Sequence, residues 1–392
     1  MYIAILGRQP VIGVAELERY FESDNVRWFS DTSATILSDD FDITKLGGTL
    51  KAGKVIAELP TGDWHKTSTK IVQEYLRIWA QFEGKITLGI STYGFDTSPY
   101  DIQKTGIILK QKLKKSGVSL RLIPNNDLAL NSATSHHNKL GLSNNKVELL
   151  VVRSRGGRII IAESTGAQNI TAYTRRDQMR PKRDAFVGML PPKLAQIMIN
   201  LAKIHITDTT KRPRILDPFC GTGVVLQEAA LIGYDTYGTD ISEKMIQYSE
   251  VNLDWLKETH QVNPTITLKI DDAMTATWNS PIDAVICEGY LGQPFSAPPS
   301  PVKLDQVRKN CQHIMSTFLA NISTQLQAGT PLCIAIPAWR DESGRFTHLQ
   351  LTQAVEKYGF EHVKFAGLER SDLLYYRDDQ IVARELLVLT KI

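Results

Sequence analysis

The sequence predicts a mixed α/β protein, with a doubly wound, mostly parallel sheet in its C-terminal half and a smaller α+β region before it. After residue 184, short apolar runs alternate with segments of helical spacing. This alternation is typical of a parallel sheet that helices cover on both faces. Before residue 172, strand and helix patterns end in a predicted hairpin whose turn contains Gly156 and Gly157.

Length and composition favour an ordinary globular protein with two or more domains. The chain has 392 residues, of which 42% are hydrophobic and 22% are charged. No apolar run reaches the roughly 18 residues of a membrane span, and Gly7, Arg8 and Pro10 interrupt the opening segment where a signal peptide needs a continuous apolar core. The four cysteines lack CxxC spacing, which argues against a metal site and against a disulfide scaffold. We therefore expect a cytoplasmic protein with no membrane contact and no metal.

The N-terminal half carries alternating strand and helix patterns. YIAIL, VRWF and ATILS predict strands, and VAELERYF has helical spacing. Short strands and a Gly47-Gly48 turn are expected between residues 39 and 60. A new unit follows, with the strand KITLGIS, the basic helix DIQKTGIILKQKLKKSG, the strand VSLRLIP and a short capped helix in SATSHHNKLGL. VELLVVRS and RIIIAEST form the predicted hairpin.

The segment AYTRRDQMRPKRD, residues 172–184, is predicted to be an exposed linker because it is rich in arginine, contains Pro181 and has few apolar residues. GMLPPKLAQIMINLA predicts a helix that begins with proline. Strands are then expected at RILDPF, DTYGTDI, ITLKID, DAVICEG and PLCIAIPAW, with helices at GVVLQEAALIG, EKMIQYSEVNLDWLK and around 305–326, before a closing hairpin region. The predicted segments are 1–60, 61–171, 172–183 and 184–392.

The two halves differ in charge. Residues 1–183 contain 26 basic and 18 acidic residues, whereas residues 184–392 contain 19 basic and 24 acidic residues. A basic half joined to an acidic half suggests that the basic half binds a polyanion. A chance partition of solvated charges is the alternative.

The strongest motif is DPFCGTG, which begins at Asp217 after a predicted buried strand. Its glycines, Gly221 and Gly223, let the backbone approach a ligand closely in the turn that opens a helix. In dinucleotide enzymes such a turn binds pyrophosphate. Here the spacing is not GxGxxG, and a carboxylate at the strand end would repel a phosphate. The ammonium group of a zwitterionic methionine moiety suits Asp217 better.

Acidic residues follow two further predicted strands. Asp240 comes after TYGT, where it can accept hydrogen bonds from both hydroxyls of a ribose. Asp272, followed by Ala273, comes after ITLKI, where a carboxylate can accept from an adenine amino group. Each acid alone could instead cap the following helix. Together with DPFCGTG, the three acids favour S-adenosylmethionine as the ligand.

These motifs, with RRDQMRPKRDAFVGMLPPKLAQIMINLA and YYRDDQIVARELLVLTK, resemble the tRNA guanosine methyltransferases that modify the 2-amino group of the guanine at position 10. The resemblance covers essentially the whole chain, closely after about residue 172 and loosely before it. It implies a Rossmann-like class I methyltransferase domain at 184–392, a ferredoxin-like element at 1–60 and a THUMP-like RNA-binding domain at 61–171.

The resemblance also implies that the helix at 190–202 lies over the cofactor, with Gly188, Leu190 and Pro191 helping to form its lid. The expected cofactor-binding residues are Asp217, Phe219, Cys220, Gly221, Thr222, Gly223, Asp240, Ile241, Asp272, Ala273 and Pro191.

Enzymes that methylate amines carry Asp/Asn-Pro-Pro-Tyr/Phe after the fourth strand, and here DAVICEGYLGQP places Glu288, Gly289 and Tyr290 at that point. In such a motif a side-chain oxygen and a backbone carbonyl accept the two hydrogens of an exocyclic amine, and the aromatic ring stacks on a flipped base. Glu288 and Gly289 still offer these acceptors, and Tyr290 offers a ring one position early. We interpret the three as a divergent catalytic motif. The alternative is a strand-end glutamate and a turn glycine without chemistry.

Cysteine and histidine residues have less specific patterns. Cys287 could be the nucleophile of a cytosine C5 methyltransferase, but it lacks the neighbouring proline of that motif and is interpreted as a core residue. His136 and His137 lack further ligands nearby and are interpreted as part of a polar surface turn.

Basic residues around the hairpin and in the linker are candidates for contacts with RNA phosphates. The linker arginines could instead pack on acidic patches, and Lys110, Lys112, Lys114 and Lys115 could form a solvated helix face. The expected RNA-binding residues are Arg153, Arg155, Arg175, Arg176, Arg180, Lys182 and Arg183.

The expected function is methylation of tRNA with S-adenosylmethionine. DNA or ribosomal RNA as the acceptor is one alternative, and an RNA-binding protein that holds the cofactor without turnover is another. The expected partner is tRNA, and members of the family in some lineages work with a small activator protein.

Overall fold

The computed structural model describes residues 1–184, 189–204, 210–279 and 281–392. These residues divide into two compact units, an N-terminal unit (Met1–Tyr173) and a C-terminal unit (Thr174–Ile392). Gly188, which was expected to help form a lid, lies outside the described residues.

The N-terminal unit is built on an eight-stranded sheet. Its strands are β1 (Tyr2–Leu6), β2 (Val26–Ser30), β3 (Ser33–Ile36), β4 (Thr49–Leu59), β5 (Lys85–Tyr93), β6 (Ser119–Leu122), β7 (Lys146–Arg153) and β8 (Ile159–Ala167). They lie in the order β2-β3-β1-β4-β8-β7-β5-β6. A single long strand, β4, replaces the short strands expected between residues 39 and 60. It pairs with both β1 and β8, so strands from both predicted N-terminal segments join the same sheet.

The helices of this unit are α1 (Pro10–Phe21), α2 (Trp64–Trp79), α3 (Pro99–Lys115) and α4 (Ser132–His137). Helix α2 was not predicted from the sequence, although Trp64, Ile71, Val72, Tyr75 and Trp79 recur at helical spacing along its buried face. Its N-cap is Asp63, which accepts a hydrogen bond from the backbone N–H of Lys66 at 2.8 Å. His136 and His137 form the last turn of α4 instead of a surface turn.

A buried ion pair lies within the N-terminal unit. Lys51 on β4 contacts Glu148 on β7, and their side chains are 3% and 0% exposed. Nζ of Lys51 also donates to the carbonyl of Leu130 at 2.6 Å, and Oγ of Ser91 donates to Glu148 Oε1 at 2.6 Å. Burial lowers the pKa of Lys51, and the charge of Glu148 opposes this effect. The pair is therefore kept in the interior by the hydrogen bonds around it.

We expect Lys51→Met to lower the free energy of unfolding by about 3–5 kcal/mol, because it leaves the buried carboxylate of Glu148 without a charged partner. Urea unfolding measures this loss. Arg77→Met is the matched control, since the Arg77–Glu74 pair is 74% and 50% exposed and solvent-exposed pairs contribute little to stability. Equal losses for the two variants would contradict this role of the buried pair.

The C-terminal unit contains a mostly parallel sheet. Its strands are β9 (Arg214–Asp217), β10 (Asp235–Asp240), β11 (Ile266–Ile270), β12 (Ala284–Glu288), β13 (Pro331–Arg340), β14 (Phe346–Thr347), β15 (Phe360–His362), β16 (Leu374–Tyr375) and β17 (Val382–Lys391). The main order is β11-β10-β9-β12-β13-β17-β15, with β14 paired to β13 and β16 paired to β17. Strands β9 to β13 are parallel, whereas β17 is antiparallel to β13 and β15. The order of the strands reverses at β9, which has β10 on one side and β12 on the other.

Helices α5 (Ile170–Gln178), α6 (Pro192–Ala202), α7 (Val224–Ile232), α8 (Glu243–His260) and α9 (Pro301–Ser323) complete the fold. Helix α6 contacts β12, β13 and β17, while α7 and α8 contact β10. Residues of α9 pack in one apolar cluster with Leu216, Val285 and Ile334 of the sheet. None of the helices in the described ranges has the length and apolar character that crossing a membrane requires.

Helix α5 forms part of the segment predicted to be an exposed linker, residues 172–183, and within that segment Arg176 and Arg180 are not exposed. Arg176 forms an ion pair with Glu228 of α7, with Nε donating to Oε1 at 2.6 Å, and the two side chains are 13% and 4% exposed. Burial raises the pKa of Glu228, and Arg176 opposes that shift. Arg176 therefore makes a buried contact with the C-terminal, acidic half, although the arginine-rich composition of its segment suggested exposure to solvent.

Candidate active site

A cavity of about 820 Å³ opens where the carboxyl ends of β9, β10 and β12 meet. This is the place where the strand order reverses, and ligands of open α/β sheets bind at such a point. Its wall is formed by Asp184, Met189, Leu190, residues 217–222, Val224, Val225, residues 240–242, Lys244, Met245, residues 272–274, residues 288–294 and Ile314.

The turn after β9 is shaped by hydrogen bonds to carboxylates. Oδ1 of Asp217 accepts from the backbone N–H of Phe219 at 3.1 Å. The N–H of Gly221 donates to Oδ2 of Asp240 at 2.9 Å, which ties the turn to the end of β10. Gly221 and Gly223 have φ values of +51° and +79°, a region that favours glycine. The DPFCGTG motif is therefore a tight loop wrapped against two strand ends.

Helix α8 supports the same turn from behind. Oγ of Ser249 donates to the carbonyl of Gly221 at 2.8 Å, and Nδ2 of Asn252 donates to the carbonyl of Thr222 at 2.9 Å. Asn252 also bonds both backbone groups of Lys182. Since Ser249 and Asn252 are fully buried, the turn is fixed by groups with no competing water.

The two other predicted carboxylates lie at the expected strand ends. Oδ1 of Asp240 accepts from the N–H of Ser242 at 2.9 Å, so each of its oxygens already receives one backbone N–H. A carboxylate oxygen has a second lone pair, so Asp240 can still accept from a ligand. Oδ1 of Asp272 accepts from the N–H of Met274 at 2.9 Å. These bonds fix the orientation of both carboxylates.

Burial makes this end of the sheet electrostatically unfavourable for anions. The pKa of Asp217 is raised well above its ordinary value, chiefly by burial and further by the charges of Asp240 and Glu288. Burial also raises the pKa of Asp240, although backbone N–H groups oppose that shift. The site therefore favours a ligand that brings positive charge.

We expect Gly223→Ala to destabilise the protein more than Gly233→Ala. Both glycines have positive φ, which costs an alanine about 1–2 kcal/mol. A Cβ at Gly223 would lie 2.9 Å from Oγ of Ser249, whereas a Cβ at Gly233 meets nothing within 4 Å. The collision adds about 1–3 kcal/mol. Urea unfolding of the two variants measures the difference, and equal losses would mean that α8 does not constrain the turn.

Glu288, Gly289 and Tyr290 follow β12 along the cavity wall. Glu288 ends the strand, and the N–H of Gly289 donates to the carbonyl of Ala335 at 2.9 Å. A Cβ at Gly289 would lie 2.6 Å from Sδ of Met315, so any larger residue would require the buried side chain of Met315 to move. Tyr290 is 42% exposed. An acidic oxygen, a backbone carbonyl and an accessible ring thus follow one another at the cavity.

Some residues at the site were not predicted from the sequence. Arg384 of β17 forms an ion pair with Glu288, with Nε donating to Oε1. Its sequence signal is the charged pair Arg384-Glu385 at the start of a strand that then becomes apolar. Lys244 lines the cavity and donates to Asp184 at 2.8 Å. These contacts join residues far apart in the chain, so local patterns did not indicate them.

Most of the predicted cofactor-binding residues line the cavity, namely Asp217, Phe219, Cys220, Gly221, Thr222, Asp240, Ile241, Asp272 and Ala273. Gly223 and Pro191 are not part of the wall. Gly223 is the N-cap of α7, and Pro191 is the N-cap of α6. Leu190, the other lid residue within the described range, lines the cavity and is buried.

The cysteines near the site are buried. Cys287 is 0% exposed in the core, as interpreted from the sequence. Burial raises its pKa well above the ordinary value, which suppresses the thiolate that a nucleophile needs. Burial raises the pKa of Cys220 in the same way, although Cys220 does line the cavity.

The predicted RNA-binding residues differ in accessibility. Arg175, Lys182 and Arg183 are exposed, but Arg180 is buried, with Nη2 3.0 Å from Sδ of Met189. Arg176 is engaged with Glu228, so neither Arg176 nor Arg180 presents its guanidinium to solvent. In the N-terminal unit, Arg155 pairs with Asp31 on the surface, and Nε of Arg153 donates to the carbonyl of Gly62 at 3.2 Å.

The strand order of the C-terminal unit, with the antiparallel β17 between β13 and β15, is that of the class I methyltransferases. The crystal structure of TrmN from Thermus thermophilus has the same overall fold, with a TM-score of 0.53 and 16% sequence identity over 100% of this chain and 99% of that one. The N-terminal assignments, a ferredoxin-like element and a THUMP-like domain, stay predictions.

Residues 180–368 match the family model described as RMKL-like, methyltransferase domain. The chain is 29% identical over 167 residues to the tRNA (guanine(10)-N2)-dimethyltransferase of Methanothermobacter thermautotrophicus, a match that covers 42% of this chain and 44% of the relative. Identity to the enzyme of the same name from Pyrococcus abyssi is 44% over 66 residues, which cover 17% of this chain and 18% of that one. The matches thus span less than half of each relative.

Proposed function

We propose that the protein is an S-adenosylmethionine-dependent methyltransferase that acts on the exocyclic 2-amino group of a guanine in tRNA. The observation that carries this proposal is the cavity at the carboxyl edge of the C-terminal sheet, which has three carboxylates on one side and Glu288-Gly289-Tyr290 on the other. The similarity to enzymes named tRNA (guanine(10)-N2)-dimethyltransferase supports guanine and tRNA as its targets.

The residues of the cavity fit S-adenosylmethionine. Asp217 offers a buried carboxylate to a ligand ammonium, and the turn at Gly221 brings the backbone close to the ligand. Asp240 is oriented to accept from ribose hydroxyls, and Asp272 with Ala273 lies where adenine would be held. A phosphate-bearing dinucleotide would place negative charge beside carboxylates whose pKa is already raised. When bound, S-adenosylmethionine would supply a methyl group to the amine nitrogen. The C–S bond breaks and its bonding electrons stay on sulfur, while the nitrogen loses a proton to water.

The chain's own residues would orient the target amine. An exocyclic amine is a poor nucleophile because its lone pair is delocalised into the ring. Glu288 and the carbonyl of Gly289 would accept its two hydrogens and turn the lone pair toward the donor. Tyr290, which is partly exposed, would stack on the flipped base. The gain in rate then comes mainly from positioning.

The N-terminal unit would hold the RNA. We propose the segments 1–60 and 61–171 as the ferredoxin-like and THUMP-like regions, and the exposed Arg175, Lys182 and Arg183 as phosphate contacts. The burial of Arg176 and Arg180 assigns those two residues a structural role instead.

We expect Asp217→Asn to weaken the binding of S-adenosylmethionine by roughly 10- to 100-fold, because a charge-assisted contact to the ammonium is lost. The free protein should become more stable at pH 8. The raised pKa of Asp217 means that the folded state binds its proton more tightly than the unfolded state, so this group destabilises the fold as the pH rises from the unfolded pKa toward the folded one.

Calorimetric titration measures the affinity, and thermal unfolding between pH 5 and pH 8 measures the stability. The stability gain of Asp217→Asn should become smaller as the pH falls. Asp254→Asn, on an exposed side chain of α8, is the matched control. If Asp217→Asn bound S-adenosylmethionine with unchanged affinity, Asp217 would not be part of the ligand site.

We expect the wild-type protein to transfer labelled methyl groups from S-adenosylmethionine to tRNA, with an N2-methylated guanosine as the nucleoside product. Glu288→Ala should reduce the rate about 100-fold or more while binding of S-adenosylmethionine persists, because the acceptor of the amine hydrogen is removed. Glu258→Ala, an exposed glutamate of α8, should retain full activity.

Other outcomes of this assay would identify the alternatives. Incorporation into DNA or ribosomal RNA alone would reassign the substrate. Cofactor binding without transfer to any nucleic acid would indicate an RNA-binding protein without turnover. Full activity of Glu288→Ala would show that the catalytic motif lies elsewhere.

A further inference from the structure

An ion pair joins the ends of two strands that are not neighbours. Arg384 lies on β17 and Glu288 ends β12, with β13 between them. Nε of Arg384 donates to Oε1 of Glu288, and the side chains are 10% and 18% exposed. In the register of the sheet, Glu288 pairs with Ala335, whereas Arg384 pairs with Pro337 two residues further along β13. The small side chain of Ala335 leaves room for the arginine to reach across.

Both partners keep further hydrogen-bonding capacity. Oε1 of Glu288 is held by Arg384, while Oε2 retains its lone pairs. A guanidinium has five N–H donors, and the described parts of the chain offer that of Arg384 no hydrogen bond other than the one to Glu288. Glu288 itself lines the cavity. Arg384 is not part of the cavity wall, but its guanidinium, on a side chain that is 10% exposed, lies directly beside the Glu288 carboxylate that is.

This pattern is complementary to guanine. The edge that carries the 2-amino group presents two donors, N2–H and N1–H, followed by the acceptor O6. Enzymes that flip a base read such an edge by hydrogen bonds. Adenine presents an amino donor and a ring acceptor there, so it would set its amino group against the guanidinium and its ring nitrogen against the carboxylate.

We propose that Arg384 is a specificity-determining residue, which donates a hydrogen bond to O6 of the target guanine while Glu288 accepts from its 2-amino group. This inference rests on the proposed function and names how the same site selects its base. It also accounts for a glutamate where related motifs have aspartate or asparagine. The added methylene lets one oxygen stay with Arg384 while the other reaches the base.

The test compares two tRNA transcripts that differ at the nucleotide methylated by the wild-type enzyme. One carries guanine and the other carries 2-aminopurine, which keeps the 2-amino group but lacks both O6 and the N1 proton. We expect Arg384→Gln to lower kcat/KM for the guanine transcript roughly 10- to 100-fold, because a hydrogen bond from a charged donor is lost. The 2-aminopurine transcript should lose less, namely only the part that the freed Glu288 costs both transcripts, so the preference of the enzyme for guanine falls.

Arg384→Lys keeps a positive charge beside Glu288 with a different donor geometry, and should show an intermediate preference. Thermal unfolding and titration with S-adenosylhomocysteine show whether Arg384→Gln folds. If it does not, Arg384→Lys is compared with the wild-type protein in its place. Arg340→Gln is the matched control, because Arg340 lies on β13 with its Nη1 donating to the carbonyl of Asp378, and it should change neither rate.

Equal losses on both transcripts in the Arg384 variants would reduce the arginine to a support for Glu288 and overturn the proposal. Equal wild-type rates on the two transcripts would also overturn it, while leaving guanine methylation intact. A wild-type protein that methylates no tRNA would instead overturn the proposed function, and with it this inference.

Discussion

The concentration of carboxylates at one edge of the C-terminal sheet is the constraint on which the rest of the site depends. Asp217, Asp240 and Glu288 end three adjacent strands, and burial raises the pKa of Asp217 and of Asp240. Buried like charges cost folding free energy, and such groups cluster at functional sites. A cationic ligand relieves the repulsion, so binding and the local electrostatics are coupled.

The scaffold around these carboxylates is rigid where the ligand must be placed accurately. Backbone N–H groups orient Asp217 and Asp240, and the buried side chains of Ser249 and Asn252 hold the glycine turn from α8. On the other side of the cavity, Arg384 holds Glu288. The chemistry proposed here depends on aligning two reactants, which such fixed groups favour.

The sequence predicted the C-terminal half well because its signals are local. Each strand end carries its acid within a few residues of an apolar run, so Asp217, Asp240 and Asp272 were placed at the cavity. The pair of Glu288 and Arg384 could not be predicted, since it joins residues 96 apart across an intervening strand. The arginine-rich segment was misread because composition does not show that Arg176 has a buried partner in Glu228. Helix α2 is a different case, since its apolar residues do recur at helical spacing and could have been used to predict it.

The central claim is that the strand-end carboxylates hold a sulfonium methyl donor and not a phosphate-bearing nucleotide. Equilibrium titration of the purified protein with S-adenosylmethionine, S-adenosylhomocysteine and NAD tests it most directly. We expect saturable binding of the two adenosyl ligands at one site per chain and no binding of NAD. Binding of NAD, with no binding of either adenosyl ligand, would contradict it.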